Sequence, residues 1–315
     1  MKNASSVYDE SPVYTFVKTF SVSSLRPVVI RCIASIFYNF FFRQYRAALL
    51  PGSIPVSKVD HPLDLKIPFD PSWITIYLDF VMYWIRMLAF LLHTYRRRAY
   101  DAVREFIVSM GKLYSFAAET YKKNLSTTDR PFYIARPRFL VIHLFDPHLM
   151  CIPSLHVMVV VWTYIKFAAI LRSFNDTGRY AAQIEEMRQG ALAITHAILF
   201  VKQHSVNCVA AALYAMTRFG GNLFPPEEAE AFIRQLFWDV PPAAPLQTGR
   251  PPANYKVRPW AAPQTKIPIV DASLIRAHIT SLFRHFLSEG RTVRNWEEPL
   301  LNFMRQEKNT PGLAF

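Results

Sequence analysis

Apolar residues in this chain gather in clusters separated by charged or proline-rich breaks. Residues 1–24 are polar with scattered aromatics. Residues 25–42 are apolar and aromatic but carry Arg26 and Arg31, a pattern for a marginal membrane helix or an interfacial one. Residues 50–71 hold several prolines and Gly52 and predict a loop. A better span covers residues 73–95. Its Trp73, Tyr77, Tyr83, Trp84 and Tyr95 suit a membrane interface, Asp79 and Arg86 interrupt it, and Arg96-Arg97-Arg98 stop it. Over residues 101–121, Val103, Phe106, Ile107, Met110, Leu113, Tyr114 and Ala117 recur at helical spacing between Arg104, Glu105, Lys112 and Glu119. That is an amphipathic helix, packed inside a bundle or lying on a membrane surface.

The prolines at 131, 137 and 147 break residues 123–153, where the short run 139–145 is apolar enough to dip into an interface. Residues 154–171 form a credible span, closed by the loop Asn175-Asp176-Thr177-Gly178. Two more apolar runs follow at 190–201 and 206–216, and Phe224-Pro225-Pro226 ends the series. Residues 227–237, 273–287 and 296–306 predict helices, and the Pro-rich 240–268 predicts extended or disordered chain. The pattern as a whole predicts an all-α, polytopic membrane bundle of about six helices, several of them short for a hydrocarbon core of about 30 Å. Its parts are a polar segment 1–24, a membrane-embedded core 25–221 and a tail 222–315 with amphipathic helices. The tail suits docking on the core, on the membrane or on a protein partner.

Composition sharpens this picture. The 315 residues are 51% hydrophobic with net charge +13, and mean hydropathy is +0.11. Such averages fit a greasy soluble protein or a membrane core with a polar tail, and the clustering favours the second. Cys32, Cys151 and Cys208 make no disulfide framework and no zinc-type spacing, so buried free thiols are expected rather than a bridge. The 9 glycines form no phosphate-cradling loop. The basic residues form no aromatic-interleaved patch, so nucleic acid is not an expected partner. His143, Asp146 and His148 cluster loosely and read as solvated loop residues rather than a metal site.

Three short motifs carry candidate chemistry. Lys123 is followed after six residues by Arg130-Pro131; then come Pro153-Ser154-Leu155-His156 and Lys202-Gln203-His204. A phosphoryl group in transfer spreads negative charge over its equatorial oxygens, and catalysis is mostly donors placed at those oxygens plus a nucleophile in line. Lys123 offers a point charge and Arg130 a planar fork. Pro153 suits a first helical turn, whose free N–H groups bind anions together with the Ser154 hydroxyl. His156 can protonate a leaving alkoxide, and His204 can attack phosphorus to form a phosphohistidine.

In order and spacing these motifs resemble the type 2 phosphatidic acid phosphatase superfamily, over Lys123 to Cys208. The resemblance implies an enzyme that hydrolyses or transfers a phosphate or pyrophosphate of a lipid, with no metal and no cofactor. It implies His204 and His156 as catalytic residues and Lys123, Arg130, Ser154 and Lys202 as phosphate ligands. In that family the late His opens the sixth helix, which brings all three motifs to one membrane face. With six spans, the Arg96–Arg98 turn on the cytoplasmic side places both termini there and the site on the extracytoplasmic face. The third motif departs from the family, where an Asp stands four residues after the late His and an Arg six before it. Here those positions are Cys208 and Ile198. Lys202 is a substitute for the Arg. A thiol at Cys208 is a poor substitute for a carboxylate that orients an imidazole one turn away. The alternative reading is therefore a catalytically weakened relative that binds anionic lipid headgroups or acts as a scaffold.

Cys208→Asp is expected to raise turnover by roughly tenfold or more, about 1.4 kcal/mol of barrier, and Cys208→Ala to change it little. Phosphate release from lipid phosphates by the purified variants measures both. Absence of turnover in wild type and Cys208→Asp alike would favour the scaffold reading.

Overall fold

The structure, a computed structural model, describes residues 6–135, 137–237 and 272–309. The described residues are mostly helical. Helix α1 (Pro12–Ser21) is followed by α2 (Arg26–Ile36), which runs through a π-helical turn (Phe37–Phe42) into α3 (Arg43–Leu49). Then come strand β1 (Val56–Lys58), the short α4 (Ile74–Leu78), α5 (Phe80–Tyr95) and α6 (Tyr100–Tyr121). Strand β2 (Leu125–Thr127) and α7 (Pro137–Phe145) lead to α8 (Leu155–Ser173), α9 (Ala181–Phe200) and α10 (Val206–Gly220). The series ends with α11 (Pro226–Gln235), α12 (Ala272–Gly290) and α13 (Glu298–Asn309).

Helix α8 occupies the centre. Its residues from Val157 to Val161 are fully buried, and it packs against α5, α6, α9 and α10. A helix apolar on every side is stable only when covered on every side. Helix α6 settles on the bundle-interior alternative: Val103, Phe106, Ile107, Met110, Leu113 and Ala117 are all buried. Its Ser109 hydroxyl accepts the Trp162 Nε1–H of α8 at 2.8 Å, and its Glu105 pairs with Lys166 of α8. The two charges that interrupt α5 satisfy each other, with Arg86 Nη1 at 2.8 and 2.9 Å from the carboxylate oxygens of Asp79. Its C-terminal turn at Arg96 has φ of 52°.

Several expectations are corrected. The polar N-terminal segment contains a helix, α1, which packs on α5. The loop before the second motif contains α7, which begins at Pro137, a residue suited to a first turn. Among the described residues two helices are long and apolar enough to cross a membrane, the run Pro71–Tyr121 and α8, or three if the bent pair of α1 with α2–α3 counts as one. The six expected spans fall short because α10 has 15 residues, about 22 Å of helix. Helix α9 carries Glu185, Glu186 and Arg188 in its first half. Of the docking options for the tail, α11 and α12 take the core: both lie against α10, with Ile275, Ile279, Phe283 and Phe286 buried. The Pro-rich stretch 240–268 lies outside the described residues. All three cysteines are buried and free.

Two short strands set up the site. β1 pairs with β2 in parallel, with Ser57 opposite Ser126. Ser126 then holds the second motif's approach: its N–H donates to the Leu149 carbonyl, its carbonyl accepts the Cys151 N–H, and its hydroxyl accepts the Ile152 N–H at 2.7 Å.

At Gly190 of α9, an added Cβ would lie 2.7 Å from Tyr83 Cε2 and also strike the Tyr8 hydroxyl. Gly190→Ala is expected to destabilise the fold by about 1–3 kcal/mol through overpacking. Gly178→Ala, where nothing lies within 4 Å, should be near neutral. Thermal or denaturant midpoints of the two variants test the contrast.

Candidate functional site

The second and third motifs meet at the N-terminal ends of α8 and α10. Ser154 is the residue before α8, and His156 sits in the first turn. The Tyr121 hydroxyl of α6 donates to the Pro153 carbonyl and fixes this entry. His204 lies in the tight connection between α9 and α10, where Lys202 has φ of 55°, so the backbone reverses within a few residues. The Ser205 hydroxyl accepts the Asn207 N–H at 3.2 Å, capping α10. Asp64 holds the connection from outside: its carboxylate accepts the Val206 N–H at 2.9 Å and the His61 N–H at 2.8 Å.

Two imidazoles from these distant motifs face each other. His204 Nε2 is 3.3 Å from His156 Nδ1, and the rings are inclined by 66°. Ser154 Oγ lies 3.3 Å from the same His204 nitrogen. The His156 ring is also stacked on Tyr77, centroids 4.6 Å apart, and touches Phe80. His148 and Asp146 line the same small pocket, together with Cys151, Gln44 and Phe40. His148 Nε2 lies 2.8 Å from the Thr128 hydroxyl. The pocket encloses about 10 Å³, room for about one water and not for a phosphate. A phosphoryl group can enter only if the two histidines part.

The structure distributes the predicted ligands unevenly. Arg130 is held beside two neighbours of the pocket: Nη1 donates to Gln203 Oε1 at 3.1 Å and Nη2 to the Asp146 carbonyl at 3.0 Å. It thereby ties the first motif to the third. Lys123 is not brought to the histidines: its Nζ pairs with Glu297, just before α13, at 2.6 Å. Lys202 is also drawn elsewhere, its ammonium donating to the Asp64 and Ile67 carbonyls. Cys208 is fully buried in the first turn of α10. His204 Nδ1 is buried without a hydrogen-bond partner of normal geometry among the described residues. This is the ring atom that an orienting carboxylate would hold. Sequence reasoning missed Gln203, and it read His148 and Asp146 as solvated loop residues. The signal for Gln203 was its position between Lys202 and His204. His143 stays apart, its ring against Phe132. Among the described residues no group of His, Cys, Asp and Glu is arranged to hold a metal ion.

Burial dominates the protonation states. It pushes His204 down to about 3, against a smaller opposing pull from the Cys151 carbonyl. Burial, then the Arg130 charge, pushes His148 down to about 3. Both rings are neutral at neutral pH. With His204 neutral, its Nε2 donates to or accepts from His156 Nδ1 according to the tautomer. Burial also lowers the Lys202 ammonium, against the attraction of Asp64 and Asp60.

These shifts fix a pH dependence. Unfolded imidazoles titrate near 6.5, so below that pH the unfolded chain binds protons that the folded chain refuses. Stability from His148 and His204 is complete above about 6.5 and falls as pH drops toward 3, by about 1.4 kcal/mol per pH unit for each ring. The thermal midpoint should drop between pH 7 and pH 5, and less steeply in His148→Asn. A midpoint independent of pH over that range would contradict the buried neutral rings.

Compared with known proteins, the chain matches no family model, no curated protein and no solved structure.

Proposed function

We propose that this chain is a membrane-bound phosphatase or phosphotransferase acting on a lipid phosphate or pyrophosphate through His204, of the type 2 phosphatidic acid phosphatase kind. The observation that carries the reading is the pairing of His156 and His204 at 3.3 Å, with Ser154 on the same nitrogen. Three residues from two motifs 48–50 positions apart share one point. Two helices long and apolar enough to cross a membrane support the lipid setting.

In the proposed reaction the phosphate enters between the two rings and replaces their hydrogen bond. His204 Nε2, neutral through burial, attacks phosphorus with its lone pair as the P–O bond to the lipid breaks. The entering phosphate monoanion gives its proton to His156, which passes it to the leaving oxygen. Water, or another alcohol, then attacks the phosphohistidine and loses its proton to His156, and the P–N bond breaks to free His204. The Ser154 hydroxyl and Arg130 hold the equatorial oxygens. No cofactor enters, and the expected face is extracytoplasmic.

A second reading is favoured by specific observations. Cys208 stands in place of the carboxylate, His204 Nδ1 has no hydrogen-bond partner of normal geometry among the described residues, and both lysines are engaged elsewhere. These fit a relative that holds an anionic headgroup without turning it over. Phosphate release from a panel of lipid phosphates in detergent decides between them. The enzyme reading expects slow release, reduced at least about 10²-fold in His204→Ala and in His156→Ala. Release unaffected by both substitutions would exclude this pair as the catalytic groups. No release, with retained binding of the same lipids, would establish the second reading.

A further inference from the structure

Helix α1 is inside out. Val13, Phe16, Val17 and Phe20 recur at one-turn spacing and are exposed, while Thr15 and Thr19 of the opposite face are buried. The Thr15 hydroxyl donates to the Ile85 carbonyl of α5 at 2.9 Å, and that of Thr19 to the Thr15 carbonyl at 2.8 Å. Along α2, Val28, Val29 and Cys32 pack inward while Ile30 and Ile33 stay outside; in the π-helical turn and α3 the inversion returns, with Phe37 outward and Asn39 and Gln44 inward. Asn39 donates to Ser115 of α6 at 3.1 Å, and Gln44 accepts the Leu149 N–H at 3.1 Å. A helix turned to water has the opposite arrangement. Helix α7 adds exposed Leu140, Val141, Leu144 and Phe145, and the Tyr45 hydroxyl of α3 donates to the Leu144 carbonyl at 3.2 Å. Two segments about a hundred residues apart thus present apolar side chains from linked elements. Single exposed apolar residues are ordinary, but a contiguous patch marks an interaction surface.

Charge identifies the occupant. Residues 11–59 contain no Asp or Glu, but they contain Lys18, Arg26, Arg31, Arg43, Arg46 and Lys58. Lys58 of β1 pairs with Asp129, but the outward apolar positions of the arm are interleaved with Lys18, Arg26, Arg31, Arg43 and Arg46, which matches the boundary of an anionic leaflet, where acyl chains and headgroups lie within one side-chain length of each other. The axes of α1 and α2–α3 are bent by 119°, so the pair enters and turns back rather than threading straight across. Phe40 and Gln44 of this arm line the histidine pocket.

We propose that α1, α2–α3 and α7 form one face that lies in a single leaflet of an anionic bilayer, with the histidine pocket opening beside it. The seating of the face stands on its own. Only its consequence, that a lipid phosphate reaches His156 and His204 without leaving the bilayer surface, rests on the function proposed above.

The test is a depth measurement on the full chain. Phe37→Cys and Leu144→Cys, both exposed sites, are labelled with a nitroxide; the native cysteines are buried. The chain is reconstituted in phosphatidylcholine vesicles with and without phosphatidylglycerol. In the anionic vesicles both labels should collide with oxygen in preference to a water-soluble nickel chelate. A label at the exposed Arg97→Cys site should do the reverse. Ile33→Cys and Leu140→Cys repeat the reading if either first variant fails to fold. Labels as open to nickel as the Arg97 site would overturn the proposal. So would spin–spin broadening in place of oxygen access, which means that a second copy covers the face. Equal depth without phosphatidylglycerol would overturn the role of the cations. Turnover is not needed for any of these readouts, so an absence of phosphate release sinks the catalytic reading and leaves this one standing.

Discussion

An apolar helix that has to be enclosed on all sides constrains everything else in this molecule. Helix α8 offers no polar face to water, so α5, α6, α9 and α10 are obliged to surround it. Enclosure fixes the position of its first turn, and with it Ser154 and His156, to within the tolerance of packed side chains. Helix α10 is held against the same helix, and the reversal at Lys202 delivers His204 to the same end. The imidazole pair is thus a consequence of packing: neither histidine needs a bond to the other to be where it is. Rigid placement of this kind is what a two-histidine reaction requires, since the two groups must act on opposite sides of one phosphorus atom.

The same enclosure dries the site. Buried imidazoles are neutral, which suits a nucleophile, but a pocket with room for about one water is also a poor host for a dianion. Arg130 is the cation best placed to compensate. It is held by Gln203 and by the Asp146 carbonyl rather than by a carboxylate, so its charge is not cancelled by the groups that position it. Lys123 is different, because Glu297 neutralises it. That ion pair links the tail to the first motif, and a phosphate recruiting Lys123 would have to compete with a carboxylate at 2.6 Å.

How much of this was legible in the sequence depends on what decides each feature. The meeting of Ser154, His156 and His204 followed from motif order, because first turns of packed helices leave little freedom to side chains that short. The aim of Lys123 and Lys202 did not follow. A lysine stem reaches several ångströms in any direction, and its goal is set by acceptors far along the chain, Glu297 for one and the Asp64 and Ile67 carbonyls for the other. Helix α6 was ambiguous because its charges are compatible with either setting; Ser109 and Glu105 finding partners on α8 decided the matter. Helix α1 was missed. Its threonines, phenylalanines and valines alternate as an amphipathic helix would, but periodicity does not say which face turns inward.

That last ambiguity bears on how the chain would meet a membrane. A polytopic bundle needs spans about 20 residues long, and α10 is too short while α9 is too charged in its first half. Of the two helices that qualify among the described residues, 72% of the apolar window of α8 and 56% of that of the run Pro71–Tyr121 are buried. The hydropathy of α8 is therefore mostly accounted for by the core and does not by itself call for lipid. Most of the large apolar side chains left exposed among the described residues belong to α1, α2–α3 and α7. Hydropathy alone ranks α5 and α8 first as membrane elements, whereas exposure ranks the N-terminal arm and α7 first. A helix contributes to membrane affinity only through the surface it leaves uncovered. By that criterion the arm and α7 would dominate attachment to a membrane, at the edge of the pocket where the two histidines meet.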